Sequence, residues 1–234
     1  MNVKTPGVRL KAAAGYARPG KFIADVGTDH AYLPVYLLES GISSGALATD
    51  INRGPLERAA ANVAGAGLGD RITLRLADGL RGAEEFCPED IFILGMGGEL
   101  IARILGDSEY IKNEKIRLVL QPMTRQAALR RFLLEGGFRI DDEVLVKDEG
   151  GRIYQIICAG YDGVRRTADE ASLLCGAIIL SRGGELCREY TARLERELAA
   201  SAAGKRCGKD FDAAASDEAL AASLRREGVF EYHA

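Results

Sequence analysis

The run Phe22-Ile-Ala-Asp25-Val-Gly27-Thr28-Asp29-His30-Ala-Tyr32-Leu-Pro34 leads an apolar stretch into a turn that carries two carboxylates and one of the chain's two histidines. Gly27 lets the backbone turn sharply and come close to a ligand. Asp50, at the end of a second apolar run, is an acid of the kind that accepts hydrogen bonds from both hydroxyls of a ribose. Together they point to a nucleoside-bearing cofactor. A pyrophosphate site calls for Gly-x-Gly-x-x-Gly at the first turn, and here Asp29, His30 and Tyr32 stand in those places. A carboxylate beside a diphosphate is repelled. A cofactor with a sulfonium cation and no phosphate, S-adenosylmethionine, suits an acidic turn far better, so methyl transfer is the expected chemistry.

These residues need a scaffold, and strand-like runs alternate with helix-like ones in the manner of a sheet covered on both faces. Strands are predicted at Phe22–Val26, Gly45–Asp50, Ile72–Leu76, Ile91–Leu94 and Arg117–Gln121, and helices at Tyr32–Glu39, Pro55–Ala66, Glu99–Leu105 and Gln126–Glu135. Ile91-Phe-Ile-Leu94 and Leu118-Val-Leu120 are continuously apolar, as buried parallel strands are. Gly136-Gly-Phe-Arg-Ile then opens a strand to about Lys147, Asp148-Glu-Gly-Gly151 turns, and Ile153 to Ala159 returns as an antiparallel hairpin. The expected fold is α/β: a Rossmann-like, doubly wound sheet of about seven strands, closed by that hairpin.

Past Tyr161 the composition shifts to Ala, Arg and Glu. Leu186, Tyr190, Leu194 and Leu198 fall on one helical face, Gly204–Asp210 is a break, and Asp212–Arg226 is a second helix. The predicted division is a catalytic domain over residues 1–161 and a small helical hairpin over residues 162–234.

Composition bounds the partners. The 234 residues are 47% hydrophobic and 28% charged, with a net charge of -3, so any nucleic-acid contact must come from a local basic face. Arg53, Arg58, Arg125, Arg130 and Arg131 are expected near the cleft rim or on flanking helices. Arg165, Arg166, Arg182, Arg188, Arg193 and Arg196 fall in the appendage, where 11 Lys or Arg face 13 Asp or Glu. Absence of a signal-like or membrane-length apolar run predicts a soluble, cytoplasmic protein. The odd cysteine count without Cys-x-x-Cys reads as reduced, packing thiols. With only His30 and His233, and no ligand cluster beside either, no metal is expected.

In open α/β sheets ligands bind outside the carboxyl ends of the strands. Asp25-Val-Gly27-Thr-Asp29, Asp50, Asp78-Gly79, Gly95-Met96-Gly97-Gly98 and Gln121-Pro122 all fall there and describe one cleft. Asp25-Val-Gly-Thr-Asp-His-Ala-Tyr-Leu-Pro34, Ala77-Asp-Gly-Leu80, Leu94-Gly-Met-Gly-Gly98, Leu120-Gln-Pro122 and Tyr154-Gln-Ile-Ile157 together resemble the bacterial tRNA (adenine-22-N1)-methyltransferase family, over about residues 8 to 160. The resemblance implies a class I methyltransferase fold, S-adenosylmethionine as donor, transfer to N1 of an adenosine in the D arm of tRNA, and a C-terminal helical extension.

For the cofactor it implies that Gly27 and Thr28 face the methionine part, Asp50 with Ile51 beside it the ribose, and Asp78 with Gly79 the adenine; the bland reading of Asp78-Gly79 is a turn. Asp25 is expected to hold the loop through backbone amides. Asp29 is the first candidate to stabilise the cationic product ring, and otherwise caps the following helix. His30 orients Asp29, meets a phosphate or packs. Gly95 and Gly97, counted with the cofactor set, let backbone approach the site, and Met96 offers an apolar face; the same stretch also reads as a plain glycine-rich loop. Tyr32 can stack a base, and Gln121 with Pro122 is expected at the pocket wall, its amide reading the adenine edge. Rival readings are a methyltransferase of the same fold acting on a small molecule or protein, and a non-catalytic RNA-binding module that retains the pocket.

Overall fold

The computed structural model describes residues 6–227, which form two compact units divided between Thr167 and Ala168. His233 lies outside the described residues. In the first unit a short helix, α1 (Val8–Ala14), precedes β1 (Phe22–Val26), α2 (Tyr32–Glu39), β2 (Gly45–Asp50), α3 (Arg53–Gly65), β3 (Ile72–Leu76), β4 (Asp90–Gly97), α4 (Gly98–Gly106), β5 (Arg117–Thr124), α5 (Gln126–Glu135), β6 (Phe138–Lys147) and β7 (Ile153–Tyr161). The strands make one seven-stranded sheet in the order β3-β2-β1-β4-β5-β7-β6. The first five are parallel; β7 runs antiparallel to both β5 and β6. The expected doubly wound fold is thus observed, with the hairpin's second strand inserted between its first strand and β5.

Alternate residues of each central strand enter opposite layers, because successive side chains leave a strand on opposite faces. Ala24, Leu47, Ile91, Ile93, Leu118 and Leu120 pack with Ile101, Ile104 and Leu105 of α4 and with Leu129 and Leu133 of α5. Ile23, Ala46, Ala48, Phe92 and Val119 pack on the other face with Ala13 and Ala14 of α1, Leu33, Leu37 and Leu38 of α2, and Ala59 and Val63 of α3. Each fully buried Leu or Ile contributes about 1.5–3 kcal/mol relative to exposure, so these two layers fix where every strand ends. Strand order reverses between β1 and β4, and the crevice at their carboxyl ends is the topological switch point.

Two local features depart from the sequence reading. The glycine-rich segment after Leu94 is not a loop: β4 continues through Gly97 and β5 through Thr124. Leu94 pairs Gln121, Met96 pairs Pro122 and Gly97 pairs Thr124, so Gly95 is an extra residue on β4 and Met123 an extra residue on β5. Bulges of this kind re-aim side chains beside active sites. The second departure is α1, a helix the sequence reading did not include.

The second unit holds α6 (Glu170–Cys175), α7 (Ala177–Arg182), α8 (Glu185–Cys207) and α9 (Phe211–Glu227). Cys187, Tyr190, Thr191 and Leu194 form the buried stripe of α8, at the spacing of one helical face. Lys205–Asp217 at 2.7 Å and Arg225–Glu195 at 3.0 Å tie opposite ends of α8 and α9, which therefore run antiparallel. The helical hairpin is as expected; α6, capped by the Asp169 carboxylate accepting from the Ser172 N–H, and α7 precede it. Among the described residues, no helix is long and apolar enough to cross a membrane.

Candidate active site

The turn after β1 is built from its own backbone. The N–H groups of Gly27 and Thr28 both donate to the Thr49 carbonyl at 2.8 Å, and the Thr49 hydroxyl donates to the Gly79 carbonyl at 3.3 Å. One residue of β2 thereby joins the first turn to the Asp78-Gly79 turn. Gly27 has φ +77°, and a Cβ on it would stand 2.0 Å from Met96 Cε, so the Met96 side chain lies directly over the glycine. With both amides given to Thr49, neither is left for a pyrophosphate. The residues fit a phosphate-free, cationic cofactor.

Asp25 is nearly fully buried. Burial pushes its carboxyl up to about 6, opposed by a hydrogen bond from the Thr28 hydroxyl and by the charge of Arg9, and reinforced by Asp50. Its partner is thus the hydroxyl of Thr28, where the sequence reading expected backbone amides. That hydroxyl accepts from the Ala31 N–H at 3.1 Å, which fixes the left-handed Ala31 (φ 52°) at the start of α2. At the end of β2, Asp50 Oδ1 accepts from the Asn52 N–H at 2.7 Å, and Ile51 is exposed beside it. Arg103 Nη2 lies 4.0 Å from Asp78 Oδ1. Asp78 and Gly79 also form one rim of a 560 Å³ cavity that otherwise runs along Arg81, Glu84, Ile104 and Tyr110, away from Asp25, Asp29 and Gln121.

Asp29 is exposed and does not cap α2, whose first turn has no side-chain cap. Its oxygens meet Arg58 Nη2 of α3 at 2.5 Å and His30 Nε2 at 3.3 Å. The His30 and Tyr32 rings stack with centroids 4.9 Å apart, and the His30 carbonyl accepts from Asn62 Nδ2 at 2.9 Å. His30 therefore both packs and touches Asp29. Among the described residues, no cluster of His, Cys, Asp or Glu could hold a metal ion.

Gln121 differs from expectation. It is fully buried, its Oε1 accepts from Arg9 Nη1 at 2.7 Å, and its Nε2 donates to the Pro122 carbonyl at 3.2 Å and to Met123 Sδ at 3.3 Å. Both ends of this amide thus have partners within the chain. Arg130 is likewise unavailable to a phosphate: it is buried, 2.6 Å from Glu143 and 2.8 Å from Gln155 Oε1. Arg9 and Asn62, which contact Gln121 and the His30 carbonyl, are neighbours of the candidate site that the sequence reading does not include. Arg9 and Gln121 are 112 positions apart, and only the packing of α1 on the sheet brings them together.

The geometry accords with comparisons to known proteins. Residues 7–157 match the family described as "Methyltransferase domain". A tRNA (adenine(22)-N(1))-methyltransferase of Bacillus subtilis is 36% identical over 167 residues, 68% of this chain and 70% of that protein. Among solved structures, the Bacillus subtilis m1A22 tRNA methyltransferase superposes with TM-score 0.84 at 26% identity, covering 94% of this chain and 98% of that one. A putative tRNA (m1A22) methyltransferase of Streptococcus pneumoniae, solved in complex with S-adenosyl-L-methionine, gives TM-score 0.81 at 29% identity, covering 92% and 97%. With the match running through every strand end described above, the chain belongs to the class I methyltransferases and, among them, to the family of the bacterial tRNA (adenine(22)-N(1))-methyltransferases.

Proposed function

We infer that this protein methylates N1 of adenosine 22, in the D arm of tRNA, with S-adenosylmethionine as donor. The observation that carries the reading is the turn Gly27–Tyr32, whose first two amides are given to Thr49 and which carries an exposed carboxylate and a stacked His-Tyr pair. When bound, the donor supplies a methyl group on a sulfonium; the N1 lone pair forms the new N–C bond while the S–C pair stays on sulfur, leaving a cationic ring.

The chain's own residues meet the demands of that reaction. N1 carries an in-plane lone pair that is unprotonated at neutral pH, so no strong base is needed and positioning supplies most of the acceleration. Asp29 places a carboxylate where positive charge develops on the ring, and as an acceptor it also suits the adenine amino group. Arg58 and His30 hold that carboxylate in place before the base arrives. Tyr32, which is exposed, gives the base a ring to stack on, an interaction of about 1–3 kcal/mol. Asp50 and Ile51 suit the ribose, and Asp78 with Gly79 the adenine of the donor.

The test is transfer of label from tritiated donor to tRNA, followed by digestion to nucleosides. Label in 1-methyladenosine, lost when adenosine 22 is replaced by guanosine, is expected. Asp29→Ala should lower kcat by about 10²-fold while donor affinity by calorimetry stays within about threefold. Label only in other acceptors would favour a small-molecule or protein substrate, and an unchanged rate in the variant would remove Asp29 from the mechanism.

A further inference from the structure

Eight large apolar side chains stand exposed among the described residues, and five of them are Leu76, Ile51, Tyr32, Leu100 and Met123. Each ends or follows one of the parallel strands, so in the sheet order β3-β2-β1-β4-β5 they form a row along its carboxyl edge. Exposed apolar residues scattered singly are ordinary. A row gathered on the edge that carries the candidate site marks an interaction surface. Tyr32 and Ile51 already have places in the proposed reaction. Leu100 and Met123, on the β4–β5 side of Tyr32, do not.

Met123 is the extra residue of the β5 bulge and is 42% exposed, yet it is held: its Sδ accepts from Nε2 of the buried Gln121 at 3.3 Å. Leu100 is 39% exposed in the first turn of α4. Gly97 pairs Thr124, and Glu99 reaches Arg125 at 3.8 Å, so the segments that carry Leu100 and Met123 adjoin. Arg125 is itself exposed, and an ion pair between two open side chains holds it weakly. Apolar faces beside a loosely held arginine match unpaired RNA, whose bases suit the former and whose phosphate suits the latter.

N1 of adenine lies on the Watson–Crick edge, so a stacked and paired acceptor must leave its helix before it can react. The neighbouring bases are then left with open faces. Leu and Met are side chains of the kind that proteins insert between base steps.

We propose that Leu100 and Met123 form an apolar wedge that packs against the bases adenosine 22 leaves behind and holds the D arm open while Tyr32 takes the target base. This rests on the reading of adenosine 22 as the acceptor. The wedge offsets the cost of exposing N1 and takes no part in the transfer itself. It also gives the β5 bulge a role: Gln121 and Pro122 are buried, and the extra residue that follows them is exposed.

The test measures methylation of two tRNAs, one intact and one with an abasic site opposite adenosine 22. On intact tRNA, Met123→Ala and Leu100→Ala should each lower kcat/KM by about 5- to 150-fold, the worth of a base-stacking contact, with calorimetric affinity for the donor unchanged. On the opened tRNA, where the base is already free to leave, both should come within about threefold of the parent. Met123→Leu should keep most of the activity on intact tRNA, and Met123→Gln, similar in length but polar, should behave as the alanine variant. Equal losses on the two tRNAs would mark a merely structural role and overturn the proposal. So would parental rates on intact tRNA, which would leave this edge to another partner. Asp29→Ala, which acts on the transfer, should be slow on both tRNAs, so failure of the wedge is distinct from failure of the site. A parent protein that makes no 1-methyladenosine in either tRNA would overturn the proposed function itself.

Discussion

At the scale of single residues, Asp25 is a carboxyl whose ionisation opposes folding. Its pKa rises from 3.8 to about 6 chiefly because burial penalises the charge. Between those values the folded chain binds more protons at this site than the unfolded chain, so this contribution to stability falls as pH rises through the window. Above about pH 6 the full cost applies, on the order of 2–3 kcal/mol. Asp25→Asn keeps an oxygen to accept from Thr28 and removes the charge. It is expected to melt at a higher temperature than the parent at pH 7.5, with the difference closing as pH is lowered toward 4 in scanning fluorimetry. A gap that persists or widens at acid pH would contradict this account. The cost falls on a buried acid that lies beside Arg9 and Asp50 and accepts a hydrogen bond from Thr28.

Among the elements, β4 and β5 show how much of the site was legible. Phe22–Val26, Gly45–Asp50 and Ile72–Leu76 are marked in sequence by apolar runs that stop at a turn, and the strands have those same bounds. Paired bulges leave no such mark: Gly95 reads as a breaker, yet the ladder passes it and resumes at Met96. Polar strand ends mark a candidate cleft, but an amide and a guanidinium that meet across more than a hundred positions have no local signature, so the contact between Arg9 and Gln121 is not legible in the sequence. Close backbone approach is equally silent. A Cβ on Gly98 would stand 2.3 Å from the Arg125 carbonyl oxygen and 3.0 Å from that of Thr124, both main-chain atoms that cannot swing aside. Gly98→Ala should therefore push α4 off the β5–α5 turn, costing about 1–3 kcal/mol in chemical unfolding and lowering transfer. Gly106→Ala, at the other end of α4 with its nearest neighbour at 3.5 Å, is the control and should be neutral or slightly stabilising.

For the molecule as a whole, charge is spent locally. Lys205 and Arg206 are paired with Asp217 and Glu218, and Arg166 with Asp162, so several cations of the C-terminal stretch already have acidic partners. If tRNA is gripped by the residues left over, log Kd should rise linearly with log salt, with a slope near 0.7–0.9 per phosphate neutralised. Filter binding at several salt concentrations gives that number, and Arg53→Ala or Arg125→Ala should reduce it by about one unit if either meets a phosphate. A slope near zero would exclude phosphate contacts as the main source of affinity. The sheet has a further consequence, which concerns time. Because β7 lies between β5 and β6, the strand made last is inserted inside the edge strand. Until residue 161 has left the ribosome, β5 presents an open apolar edge at Leu118–Leu120, of the kind that invites pairing with other chains. The same nine-residue strand thus closes the sheet, and a nascent chain that has completed it is also one that has ceased to be sticky.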